Sequence, residues 1–303
     1  MAITLTENFR AVFYAPFYAA EATGAYREAG LDIRILRSPD PATAGAALRS
    51  GGADVMWGGP LRVMLLAETD PAAEFVCFCN VVARDPFFVI GREPRPDFTV
   101  ADLARVPLAT VSEVPTPWLC LQDDLRRAGV DPARVRRHTG RTMAENAAAL
   151  RRGEVGAVQL FQPYAEELLG SGAGHLWYAA ATRGLTAYTT FVTRRPTLAT
   201  RSEELGAMTS AMARTLAWMR ETGGAEVAQA LTSYFPDLDV DLMGAAIDRY
   251  RALGLWAETP VLAPEGFDRL QAAMLSGGAL RGPVSFERCV DNTLAEGVTG
   301  SGV

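Results

Sequence analysis

Strands alternate with helices through the first two thirds of this chain, the alternation restarts once, and the last third is helical. Together these observations predict an α/β protein of two lobes, each a mainly parallel sheet flanked by helices, with a helical C-terminal tail. A length of 303 residues gives the same count, being too long for one average core. The expected division is residues 1–87 with 190–303 as one discontinuous lobe and 88–189 as the other.

The elements can be justified in order. Ala2 to Thr6 alternates as a strand, and Pro16 to Glu28 reads as a helix stopped by Gly30. Leu31–Leu36 is the next strand, Pro41–Ser50 a helix closed by Gly51-Gly52, and Asp54–Trp57 a strand. Pro60–Glu68 is helical and Glu74–Val82 is a buried strand. The second series opens with Phe87–Ile90 and Pro107–Val111 as strands. A helix over Trp118–Arg127 follows, with Thr116 as its N-cap and Pro117 at its first position. Val135–His138, helix Met143–Arg152, strand Ala157–Phe161 and helix Pro163–Leu169 complete that lobe, and Thr189–Thr193 returns to the first. Beyond Arg201, Leu205, Met208, Met212, Leu216 and Met219 fall on one helical face and are read as core. Further helices are expected at Ala225–Tyr234, Val240–Leu253 and Pro264–Ser276.

One stretch organises the functional reading. Asp54-Val55-Met56-Trp57-Gly58-Gly59-Pro60 is a strand running into two glycines and a proline suited to a helix start. Ligands of open α/β sheets collect beyond the carboxyl ends of strands, where helix N-termini present free N–H groups. Trp57 either offers a flat ring to a ligand there or belongs to the core; the sequence leaves both open.

Composition excludes several classes. A net charge of -6 and no basic stripe beyond Arg134, Arg136 and Arg137 argue against nucleic acid. No apolar run reaches the ~18 residues of a membrane span. All 29 basic residues are arginine, so Schiff-base and P-loop lysine chemistry is unavailable. Cys77 and Cys79 on one strand, with Cys120 and Cys289, read as packing thiols, with a metal or redox role as the other possibility. His138 and His175 are too few and too distant for a histidine metal site and fit surface or strand-end positions. No cofactor is called for.

Ala15-Pro16-Phe17-Tyr18-Ala19-Ala20-Glu21 through Gly30-Leu31-Asp32 resembles the opening of the periplasmic-binding-protein family for nitrate, taurine, alkanesulfonate and thiamine-pyrimidine uptake. Leu125–Pro132, Leu150–Ala157 and Phe161-Gln162-Pro163-Tyr164 are similar to later segments of that family, although Gly156 stands where an Asp is usual. The resemblance implies a two-lobed, type II periplasmic-binding-protein-like fold that closes by hinge bending on a ligand in an interlobe cleft. It implies cleft walls at Phe13, Tyr14, Trp57, Gly58, Gly59, Ser112, Glu113, Thr116, Phe161 and Tyr188. Asn8 and Arg10, just past the first strand, join them as ligand-binding candidates. The ring-rich wall suits a flat or partly apolar solute, and Ser112 and Thr116 suit an anionic or carbonyl group. Glu113 would pair with an amine, or else serve as a helix-dipole charge.

The expected function is therefore capture of a small organic solute for ABC-type uptake, with an ABC permease as the possible partner. The alternative is a cytoplasmic enzyme on the same fold, decarboxylase- or desulfinase-like or thiamine-pyrimidine-related, with Glu113, Asp85, Cys120 and Arg10 as the available reactive side chains. The thiamine-pyrimidine synthase of the superfamily is a poor match. Its pyridoxal-phosphate lysine falls on Gly58, its histidine on Arg62 and its cysteine motif on Ala187–Phe191. Met1–Thr6 enters the first strand without a charged or apolar leader. The expected location is extracytoplasmic if a signal was removed and cytoplasmic if Met1 is the native start.

Overall fold

The computed structural model describes residues 2–300. In the first series, β1 (Ile3–Thr6) leads through a 3-10 turn at Val12–Tyr14 into α1 (Ala15–Ala22) and α2 (Ala25–Glu28). Then come β2 (Ile33–Leu36), α3 (Pro41–Ser50), β3 (Val55–Gly58), α4 (Pro60–Thr69) and β4 (Phe75–Val82). The second series is β5 (Phe88–Gly91), β6 (Leu108–Ala109), α5 (Thr116–Arg127), β7 (Arg137–His138), α6 (Met143–Arg152), β8 (Ala157–Leu160), α7 (Tyr164–Gly170) and β9 (His175–Ala179). The chain returns along β10 (Thr189–Arg194) and continues as α8 (Arg195–Thr200), α9 (Ser202–Glu221), α10 (Gly224–Leu231) and α11 (Val240–Ala252). It ends with α12 (Pro264–Ser276), α13 (Phe286–Cys289) and α14 (Thr293–Gly300).

Local chemistry explains most boundaries. Asp40 caps α3 by accepting from the backbone N–H of Ala42 and Thr43, and Gly51 closes it in the left-handed conformation. Thr142 and Glu145 form a reciprocal capping box on α6, which Gly153 ends in the same way as Gly51. The helix expected over 16–28 is broken in two because Gly24 adopts φ 82°, which a helix cannot contain. Thr116 is a correction: it is the first residue of α5, its cap position belongs to Pro115, and no side chain caps that end.

Each half of the alternation builds its own sheet. The first has the order β2-β1-β3-β10-β4 and the second the order β7-β6-β8-β5-β9. In both, four strands run one way and one runs against them: β10 is antiparallel to β3 and β4, and β5 to β8 and β9. The edge strand β9 lies outside the sequence expectation. Trp177 on it packs so closely over β5 that a Cβ at Gly91 would lie 1.7 Å from the indole. Only glycine admits that approach.

By its contacts the chain forms two compact units: residues 1–84, 185–271 and 282–303 in the first, 85–184 and 272–281 in the second. The first unit buries the methionine face of α9, with Leu205, Met208, Met212, Leu216 and Met219 at 0–1% exposure. In the second, Leu103, Leu108, Leu121 and Leu125 pack with Val89 and Trp177. Arg183, itself buried, binds Asp85 at 2.6 Å and grips Asp124 through Nε and Nη2. Tyr178 donates to the same Asp124 carboxylate. No helix among the described residues is long and apolar enough to cross a membrane.

Candidate functional site

In the first unit, the carboxyl ends of β1 and β3 and the start of β10 bring together Asn8, Phe13, Tyr14, Trp57, Gly59 and Tyr188. Asn8 is buried and donates from Nδ2 to the Tyr14 hydroxyl at 2.9 Å, while its Oδ1 has no hydrogen-bond partner. Tyr14 also faces the Thr189 hydroxyl, and burial drives its phenol well above the ordinary value. Phe13 lies edge-on to Tyr188 at 6.0 Å. Gly58 ends β3, and Gly59 is the N-cap of α4 with Pro60 at the first position. Gly59 has an ordinary extended backbone; its small size matters because a Cβ there would come within 3.2 Å of the Tyr188 carbonyl oxygen.

Trp57 is core, the second of the two readings the sequence left open. Its indole is fully buried, stacked on Phe17 at 4.8 Å and 13°, and met edge-on by Tyr18. Its flat face is therefore not offered to a ligand. The indole Nε1–H is buried without an acceptor, 6.1 Å separating its ring from that of Tyr14. Arg10 is committed elsewhere: it donates to Glu7 at 3.1 Å and to the Tyr234 carbonyl at 2.7 Å, and lies over the Tyr18 ring. It locks the turn that presents Asn8.

In the second unit, Ser112 and Glu113 follow β6, but their polar groups serve the backbone. Glu113 accepts from Ser112 N at 3.0 Å and from Met143 N, the first residue of α6, at 3.1 Å. It is thus a helix-end charge, for α6 and not for its own helix. Ser112 Oγ accepts from Gly140 N at 2.8 Å. Thr116 is half-buried at the start of α5, and Phe161 packs edge-on against Phe87 at 5.2 Å.

The sequence reading missed a second polar group at this sheet end. Arg137, the first residue of β7, stacks over Trp118 at 4.3 Å and donates to Thr110 Oγ1 at 2.7 Å, with its guanidinium pKa lowered by desolvation. Buried Asn146 donates to the Thr110 carbonyl, and buried Gln159 to that of Pro117; the Oδ1 of one and the Oε1 of the other have no partner. The available signal was Gln159 itself, a polar residue interrupting the apolar run Ala157-Val158-Gln159-Leu160.

The reactive candidates have other employment. Asp85 is held by Arg183, Glu113 by two amides and Arg10 by Glu7. Cys120 lies in the interior of α5, where burial pushes its thiol up to about 12. Cys77 is likewise pushed up to about 12 and Cys289 to about 11, and Cys79 is raised by the same cause. His138 and His175 sit in β7 and β9, at the edges of their sheet.

Two sheets of this strand order, each with one strand against four, define the periplasmic-binding-protein-like class of α/β folds. Residues 12–223 match the NMT1/THI5 like family, and the chain belongs to it. YtlA of Bacillus subtilis strain 168, named as a candidate binding protein, is 24% identical over 301 residues, 98% of this chain and 90% of YtlA. Among solved structures, the periplasmic aliphatic sulphonate binding protein SsuA of Escherichia coli superposes with a TM-score of 0.75 at 18% identity, covering 93% of this chain and 94% of SsuA. A mutant of DSZB, crystallised in complex with biphenyl-2-sulfinic acid, gives 0.71 at 15% identity over 99% of this chain and 100% of its own.

Proposed function

We propose that this protein is a solute-binding protein of ABC-type import, capturing a small organic solute and delivering it to a membrane permease. The observation that carries the reading is a buried acceptor, Asn8 Oδ1, and a buried donor, Trp57 Nε1–H, both beside Tyr14 and both unclaimed by the protein. Buried polar atoms without partners are rare and costly, about 1–3 kcal/mol each, and a bound polar solute would satisfy them. Asn8, Tyr14 and Tyr188 are the recognition residues on the first unit. Taken by itself, the second unit offers Arg137 on its Trp118 platform as a cation, with Asn146 and Gln159 behind it.

The relatives support this assignment through the near full-length match to YtlA and the fold shared with SsuA. The fold shared with DSZB keeps an enzymatic reading in view, but every reactive side chain considered for it is engaged in structure. Native mass spectrometry of the purified protein, followed by calorimetric titration of the released compound, tests the proposal. An unmodified small molecule that rebinds one-to-one, more weakly to Asn8→Ala and Arg137→Ala variants, is the expected result. Conversion of that molecule to a product, or unchanged affinity in both variants, would overturn it.

A further inference from the structure

We infer that a trench between α3 and α4 on the first unit is a second ligand site, for a small amphipathic anion with an apolar body and a carboxylate or sulfonate head. The trench has a volume of about 730 Å³, inside the range of about 300–1,000 Å³ usual for small-molecule sites. It exists because α3 presents Gly45 and Ala46 to α4, side chains too small to fill the space between two helices lying on one sheet. Its other surfaces are apolar: Met56 and Val192 from the sheet, Phe75 at one end, and Val63 and Leu66 from α4.

Charge selects the occupant. Two arginines line the trench, and among the described residues neither guanidinium has a carboxylate in ion-pair contact. Arg49 lies over the Phe75 ring at 5.9 Å, a contact that leaves its N–H groups free. Arg62 is half-buried, with its charge disfavoured by desolvation and only the more distant Tyr14 and Asp40 to oppose this. Asp40 is not in ion-pair contact with it; the Asp40 carboxylate accepts instead from Ala42 N at 2.8 Å, Thr43 N at 2.9 Å and Thr43 Oγ1 at 2.9 Å. An apolar trench with a half-buried Arg62 and an exposed Arg49, neither in an ion pair, fits a molecule that is apolar along its length and negative at its end, in a protein of net charge -6. None of the recognition residues Asn8, Tyr14 and Tyr188 lines the trench, so the two sites can be tested separately.

The test is calorimetric titration of the full-length protein with decanoate, with 1-decanol and decyltrimethylammonium as neutral and cationic controls. Decanoate should bind one-to-one, at least tenfold tighter than either control. Its Kd should rise at least tenfold in Ala46→Leu, which fills the trench from an exposed helical position, and in the double variant Arg49→Gln/Arg62→Gln. Asn8→Ala should leave it unchanged. The inference is overturned if decanoate does not bind, if decanol binds as tightly, or if Asn8→Ala weakens decanoate while the folded trench variants do not.

Discussion

The Trp57 indole and the Phe17 ring lie parallel, their planes 13° apart and their centroids 4.8 Å apart, with Tyr18 closing the indole from the edge. Removing so large a buried ring leaves a cavity that a packed core cannot collapse. Trp57→Ala should therefore destabilise the protein by about 3–5 kcal/mol in a denaturant titration. A loss below ~1 kcal/mol would place the indole outside the core.

Asn8 is the side chain through which stability and recognition part company. Asn8→Ala removes both the hydrogen bond to Tyr14 and the open acceptor. Affinity for the co-purified solute should fall by about 1–3 kcal/mol, while the unfolding midpoint moves little because the orphaned acceptor leaves with the side chain. Calorimetry and thermal melting on the same preparation separate the two effects.

The thiols should be silent. All four cysteines are buried, and burial holds each thiol above its ordinary value. At pH 8 an aromatic disulfide reagent should label none of them over minutes in the folded protein and all four in denaturant. Rapid labelling of one thiol before unfolding would contradict the packing described.

Acid should loosen the helix caps. Asp40 is held below its ordinary value by the Thr43 amide, and Glu145 by the Thr142 amide. The folded values lie below the unfolded ones, so this stabilisation is complete above the unfolded values and is lost as pH falls through the folded ones. The melting midpoint should decline between about pH 5 and pH 3, less steeply for Asp40→Asn/Glu145→Gln than for the parent. Equal slopes would show that the caps do not contribute.

Arg183 holds two carboxylates inside the second unit, and Asp85 is itself buried. Arg183→Ala strands both and should cost about 3–5 kcal/mol, as for other broken buried pairs. Arg183→Lys should recover only part of this, since an ammonium cannot reproduce the bidentate grip on Asp124. Urea titrations of the two variants provide the comparison.

The fold was largely legible in the sequence because its signals are local. Asp40-Pro41 with Gly51, Gly59-Pro60, and Thr142 with Gly153 mark helix ends by their own chemistry. What escaped depended on distant contacts. Trp177 makes a strand of β9 only because Gly91, far away in the chain, leaves room for its ring. The site was less legible for the same reason. Glu113 and Arg10 look like ligand-facing charges until the backbone amide of Met143 and the carboxylate of Glu7 are seen to claim them. Arg137 looks like an ordinary surface cation until Trp118 is found beneath it.

The position of β10 sets an order of events for biosynthesis. It sits between β3 and β4, so the first sheet lacks an interior strand until residue 194 has been made. Every strand of the second sheet is available by residue 179. A nascent chain must therefore hold its first 84 residues unfinished while the inserted segment assembles, exposing the flanks of β3 and β4 to any passing strand. Substitutions that slow the inserted segment should lower yield through aggregation of residues they never touch.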